Sequence, residues 1–305
     1  MKNYIFIDTN ILLNMYSVDV NLDHYDIILS LVEIGYIEVF INQQIFEEFI
    51  RNQNILKENL INCYRIDASK VKLILGEKPK ELAEINRKIG DALSEKISRI
   101  DNIFSKLSYG RTKLTTTSIE KAKTRHILGN PPGKSNHTIG DEVNWESFLE
   151  FIEARECKGC FYILTNDNDY IKNQEFLRRE CYALPNLDIL SFKIAFNKSA
   201  KDFIDELLKS SQKELKEIAI RNLATSGSFY ETDRLFFLLS RIDSISYSDM
   251  ENIAKYTISN SQVWGAVINW PRLETLNFLI NNKPESDLSE NLKTIYERIE
   301  NNLQK

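Results

Sequence analysis

The chain has 305 residues, 27% of them charged and 43% hydrophobic, with a formal net charge of −5. That length allows two domains, the composition excludes a disordered chain, and no apolar run approaches the ~18 residues of a membrane span. Four cysteines exclude a disulfide scaffold and fit a reduced cytoplasmic setting. An Asp directly after the first four-residue apolar stretch argues against a signal peptide, and the net charge leans away from a protein that coats nucleic acid by bulk charge.

In chain order, Tyr4–Ile7 reads as a short buried strand ending at Asp8. A helix is predicted over Ile27–Ile34 with Gly35 as its stop, and Ile37–Ile41 is a second strand. Long helical patterns follow over Gln44–Leu75 and Lys80–Leu107, separated by Gly76 and Pro79. Residues 108–140 carry little apolar periodicity beyond a short helix near Ile119–Ile127. Helix Asp141–Glu156, strand Cys160–Leu164, helix Asp169–Glu180 and strand Leu187–Leu190 complete an alternation that predicts an α/β fold with a Rossmann-like parallel sheet. From about Lys198 only helical patterns remain. The expected organisation is a domain over 1–197, with a helical insertion at about 52–125, and an all-helical C-terminal domain over 198–305.

In open α/β sheets, sites form beyond the carboxyl ends of the strands. Asp8 follows the first strand and Asp167 the third, with Thr9, Asn10, Thr165 and Asn166 beside them as short polar groups able to orient carboxylates. Each Asp or Asn also suits a turn or cap. Asp141 projects within about 30° of the centre of the apolar stripe formed by Trp145, Phe148, Leu149 and Ile152, where its charge needs a partner such as a shared metal ion; capping the first turn with the help of the helix dipole is the equal alternative. Glu47 and Glu48 both flank the apolar face of the helix after the second strand, and periodicity does not choose between them. Acids gathered at one sheet edge repel one another unless hard cations bind them. Oxygen ligands suit Mg2+ or Mn2+ and displacement at phosphorus.

Residues 105–137 carry a local net charge of +6 against −11 for the rest. This Gly/Pro-containing segment leads into the Asp141 helix and could hold phosphates, with Arg125, Asn130 and Lys134 as the expected contacts. A lone Cys157–Cys160 pair has zinc-knuckle spacing but no second pair, and packing is the simpler reading. Dinucleotide-fold and P-loop glycine patterns are absent.

With Ile5-Phe6-Ile7-Asp8-Thr9-Asn10-Ile11-Leu12, Phe46-Glu47-Glu48-Phe49, Gly140-Asp141 and Leu164-Thr165-Asn166-Asp167 in this order, the chain resembles PIN-domain nucleases over about residues 1–197. It is most similar to a bacterial PIN-like subgroup marked by Arg125 and Gly129-Asn130-Pro131-Pro132-Gly133-Lys134 before the third acid. The resemblance implies four catalytic, metal-holding acids (Asp8, Glu48, Asp141 and Asp167), Mg2+ or Mn2+ as cofactor, and endonuclease action on single-stranded or structured RNA leaving 5′-phosphates. It favours Glu48 over Glu47, because the family acid directly precedes the apolar residue, here Phe49. A toxin-like or anti-phage role suits this subgroup; the tail after about residue 198 matches nothing in it and is expected to bind a protein partner or self-associate, and no membrane partner is expected. Two other readings stand beside it. One is a flap-type or single-strand DNA nuclease using Glu142, Glu146 and Asp169 as further acids, and the other is an inactive scaffold that binds RNA or protein.

Overall fold

A computed structural model describes residues 2–64, 82–133, 138–154, 159–184, 192–268, 273–285 and 287–303. Strands β1 (Lys2–Ile7), β2 (Ile37–Phe40), β3 (Gly159–Leu164) and β4 (Phe192–Asn197) form one all-parallel sheet in the order β2-β1-β3-β4. The residues Ile5, Phe6 and Ile7 are fully buried, as expected for a central strand covered on both faces. The expected strand Leu187–Leu190 lies outside the described residues; the strand observed beside β3 is Phe192–Asn197. Among the described strands it pairs with β3 alone, and it exposes Lys193, so its apolar pattern is weaker than that of a fully covered strand.

Helices α1 (Thr9–Leu13), α2 (Asp23–Glu33), α3 (Gln43–Tyr64), α4 (Leu82–Leu107), α5 (Thr116–Leu128), α6 (Gly140–Glu153), α7 (Asn168–Lys172) and α8 (Gln174–Tyr182) accompany the strands. Helix α2 ends where Gly35 takes a left-handed conformation (φ +70°), its N–H and that of Tyr36 bonding back to Val32 and Leu31. Helix α5 starts on a Thr115–Ser118 capping box and ends on Gly129 (φ +68°). One face of the sheet is aromatic. Phe6 lies 5.3 Å from Phe148 of α6 and Phe40 lies 4.8 Å from Phe151, ring centre to ring centre. No described helix is long and apolar enough to cross a membrane.

The chain divides into two compact units, Met1–Tyr25 with Ile37–Ala200, and Asp26–Tyr36 with Lys201–Lys305. The second unit holds the helical tail: α9 (Ala200–Leu223, interrupted by non-helical backbone at Ser211), α10 (Phe229–Leu239), α11 (Tyr247–Ser259), α12 (Ser261–Ile268), α13 (Leu273–Asn281) and α14 (Glu290–Leu303). Most of α2 belongs to this unit, although strand–helix alternation alone assigns it to the N-terminal domain. Polar groups of the segment Asp26–Tyr36 explain the attachment: Glu33 pairs with Arg234, Asp26 accepts from the Tyr230 hydroxyl at 3.2 Å, and Tyr36 donates to Glu214 at 3.2 Å.

Candidate functional site

Strand register brings the acids together. Parallel pairing of Ile7 with Leu164 aligns the carboxyl ends of β1 and β3, and the Asp8 N–H donates to the Leu164 carbonyl at 2.9 Å. Because β2 lies on one side of β1 and β3 on the other, the gap beyond β1 and β3 is the topological switch point of the sheet. Asp8 sits there, only 2% exposed, with Oδ2 accepting from the Thr165 hydroxyl at 2.7 Å. Thr165 Oγ1 also accepts from the Asp167 N–H at 3.1 Å, and Asp167 Oδ1 accepts from the Asp169 N–H at 2.7 Å. From α3, Glu48 reaches the same corner, where its Oε2 accepts from the Thr9 hydroxyl at 2.9 Å. Glu47 instead is exposed and bonded to Gln43 within its own helix.

Burial, followed by repulsion from Glu48 and Asp167, raises Asp8 to a pKa of about 6 against the pull of the Thr165 hydrogen bond. The buried Tyr170 hydroxyl donates to the Asp141 backbone carbonyl at 3.2 Å. That phenol is held well above its ordinary pKa, first by burial and then by the charges of Asp141, Asp8, Asp167 and Glu142. Asp141 lies half-buried in the first turn of α6, where the helix dipole favours an acid. Among the described residues no group of three or more His, Cys, Asp or Glu side chains is placed to hold a metal ion. The donor chemistry nonetheless suits a hard divalent cation: an all-oxygen set around a buried carboxylate that two neighbouring charges repel.

Three expectations change. Asn10 and Asn166 do not orient the carboxylates; both are exposed, and the adjacent threonines do that work. Arg125 is not placed as a phosphate contact. Its guanidinium, 5% exposed, bonds Glu146 at 2.7 Å, Glu180 at 2.7 Å and the Pro131 carbonyl. Glu180 also accepts from the Trp145 indole at 2.9 Å, so every nitrogen–oxygen pair in this knot is internal to the fold. Asn130 bonds its backbone N–H to the Arg125 carbonyl and lines a cleft of about 580 Å³ with Lys121 and Thr124; Lys134 and Cys157 lie outside the described residues. Lys106, Arg111, Lys113, Lys121 and Lys123 are exposed.

Sequence reading gave Glu142 only a place among possible extra acids, yet it is 1% exposed, bonded to His126 Nδ1 at 2.7 Å, with its second oxygen lacking a hydrogen-bond partner among the described residues. A Cβ on Gly133 would fall 2.3 Å from that carboxylate, so any larger residue there would force the Glu142 side chain to shift. The available signal was a pairing: consecutive Arg125 and His126 on α5 match Glu146 and Glu142, one turn apart on α6. Removing the Thr165 hydroxyl tests the hydrogen bonds at the switch point. Thr165→Val is expected to lower stability by about 1.5–3 kcal/mol and to raise the Asp8 pKa further, read by urea denaturation and by NMR titration of the carboxyl.

Nothing among curated proteins or solved structures matches the chain. A family model described as PIN domain matches residues 5–170, which include Asp8, Glu48, Asp141 and Asp167. With more than half of its length matched, the chain belongs to the PIN-domain family, which points to a nuclease, typically a metal-dependent one.

Proposed function

We propose that the protein is a metal-dependent endoribonuclease. The observation that carries this reading is the Asp8 carboxylate, buried at the β1/β3 switch point and raised in pKa beside Glu48 and Asp167. Asp8, Glu48, Asp141 and Asp167 would hold Mg2+ or Mn2+. A divalent cation supplies charge neutralisation at a phosphodiester and eases deprotonation of water. The chain's own groups prepare the site: Thr165 holds Asp8, Thr9 holds Glu48, and Tyr170 pins the backbone at Asp141. The exposed lysines and arginine of segment 105–137 draw a phosphate backbone towards the protein without reading sequence. The flap-type alternative loses one of its extra acids, because Glu146 is committed to Arg125.

The test incubates end-labelled single-stranded RNA and DNA with the purified protein in Mn2+ or in EDTA, beside an Asp141→Asn variant. Internal cleavage of RNA, lost in EDTA and in the variant, is expected. Cleavage indifferent to both overturns the metal–acid reading, DNA-only cleavage overturns the RNA assignment, and binding with no cleavage supports an inactive scaffold.

A further inference from the structure

The amides that do not orient the acids converge elsewhere. Asn10 and Asn166, each one residue from a site threonine, line a cleft of about 470 Å³ together with Asn14, Asn59, Leu13 and Leu56. In a chain that is 27% charged, no charged side chain among the described residues lines this cleft. None of the four carboxamides bonds to another described residue. The cleft continues the site. On α3, Glu48, Leu56 and Asn59 fall on one helical face, with Leu56 about 12 Å beyond Glu48 along the axis. From the other side, Asn10 and Asn14 are four residues apart just after β1 and project together.

Its chemistry selects the occupant. Its described lining offers no cation for a phosphate and no carboxylate for a metal ion. Carboxamides offer paired donors and acceptors, and the leucines offer a flat apolar wall, which together match an unstacked nucleobase presenting its hydrogen-bonding edge. Its size falls within the usual range of small-ligand sites. We infer that this cleft holds one base of a single-stranded nucleic acid next to the phosphate lying over the acids, giving the enzyme a base preference near the cut; the inference rests on the nuclease reading for what lies beside the cleft.

The test uses Asp8→Asn protein, so that RNA stays intact, and measures binding of four fluorescent homopolymeric RNA pentamers by anisotropy in Mg2+. The tightest and weakest bases are expected to differ by about tenfold or more, within the range that one bidentate base contact discriminates. Adding Asn14→Leu and Asn59→Leu, both at exposed positions, is expected to shrink that spread to about twofold, with the salt dependence of binding unchanged. No spread, or a spread that survives both substitutions, overturns the base pocket. Cleavage by the unmodified protein is read separately. Base-selective binding without cleavage overturns the nuclease reading and keeps the pocket, cleavage without base preference does the reverse, and failure to bind any pentamer together with no cleavage by the unmodified protein overturns both.

Discussion

Asp8→Asn is expected to reduce cleavage by ~10³-fold or more while making the metal-free protein more stable near neutral pH. The two effects share one cause. Asp8 is 2% exposed, and burial with repulsion from Glu48 and Asp167 lifts its pKa from the ordinary aspartate value to about 6. Below the unfolded-state value both folded and unfolded chains carry the proton, and the carboxyl has no effect on stability. As pH rises towards about 6, the unfolded chain releases its proton first, so folding is progressively disfavoured. Above about pH 6 the full penalty, on the order of 3 kcal/mol, is present. An amide cannot ionise. The variant should therefore melt roughly 5–10 °C higher than the unmodified protein at pH 8, with the difference vanishing near pH 4. Mg2+ at ~100 times its dissociation constant should stabilise the unmodified protein by about 2.7 kcal/mol and the variant by less. Scanning calorimetry across pH, with and without Mg2+, checks all three; a variant less stable than its parent at pH 8 would show that the Asp8 charge is compensated within the fold.

The second large effect is expected at Arg125 and separates a structural role from a phosphate contact. Arg125→Met leaves Glu146 and Glu180 without their shared cation in a setting where Arg125 is 5% and Glu146 8% exposed. Breaking such a buried pair costs about 3–5 kcal/mol, chiefly from the stranded charges. Neutralising those charges with Glu146→Gln and Glu180→Gln in the same chain should recover more than half of the loss. Urea denaturation monitored by Trp145 fluorescence reads this directly. A phosphate contact would behave in the opposite way, with the denaturation midpoint unchanged and only RNA affinity reduced.

How much of this is written locally in the chain varies from residue to residue. Asp8 and Asp167 are legible because each follows an apolar run that forms a fully covered strand, and sites in such sheets lie beyond the strand ends. Glu48 and Glu47 are indistinguishable by periodicity, since both flank the buried face of α3; contact with Thr9 of α1 separates them. Arg125 looks like part of a basic, phosphate-seeking segment because its three partners lie 6, 21 and 55 residues away. Charge summed along a sequence does not reveal ion pairs closed across helices. Glu142 is hidden for the same reason, and the amide cleft is hidden because it draws Asn10, Asn59 and Asn166 from three separate elements.

Sequence alone determined the alternation of strand and helix, the parallel Rossmann-like sheet with its helical tail, and the acids at the strand ends. Those features follow from periodicities and strand boundaries that operate over a few residues. Only the tertiary structure decided which glutamate faces Thr9, which arginine is sealed into the core, and that Asp26–Tyr36 packs with the tail. Each of these turns on desolvated polar groups meeting partners far away in the chain, and the energy of burying a charge depends on who its neighbours are.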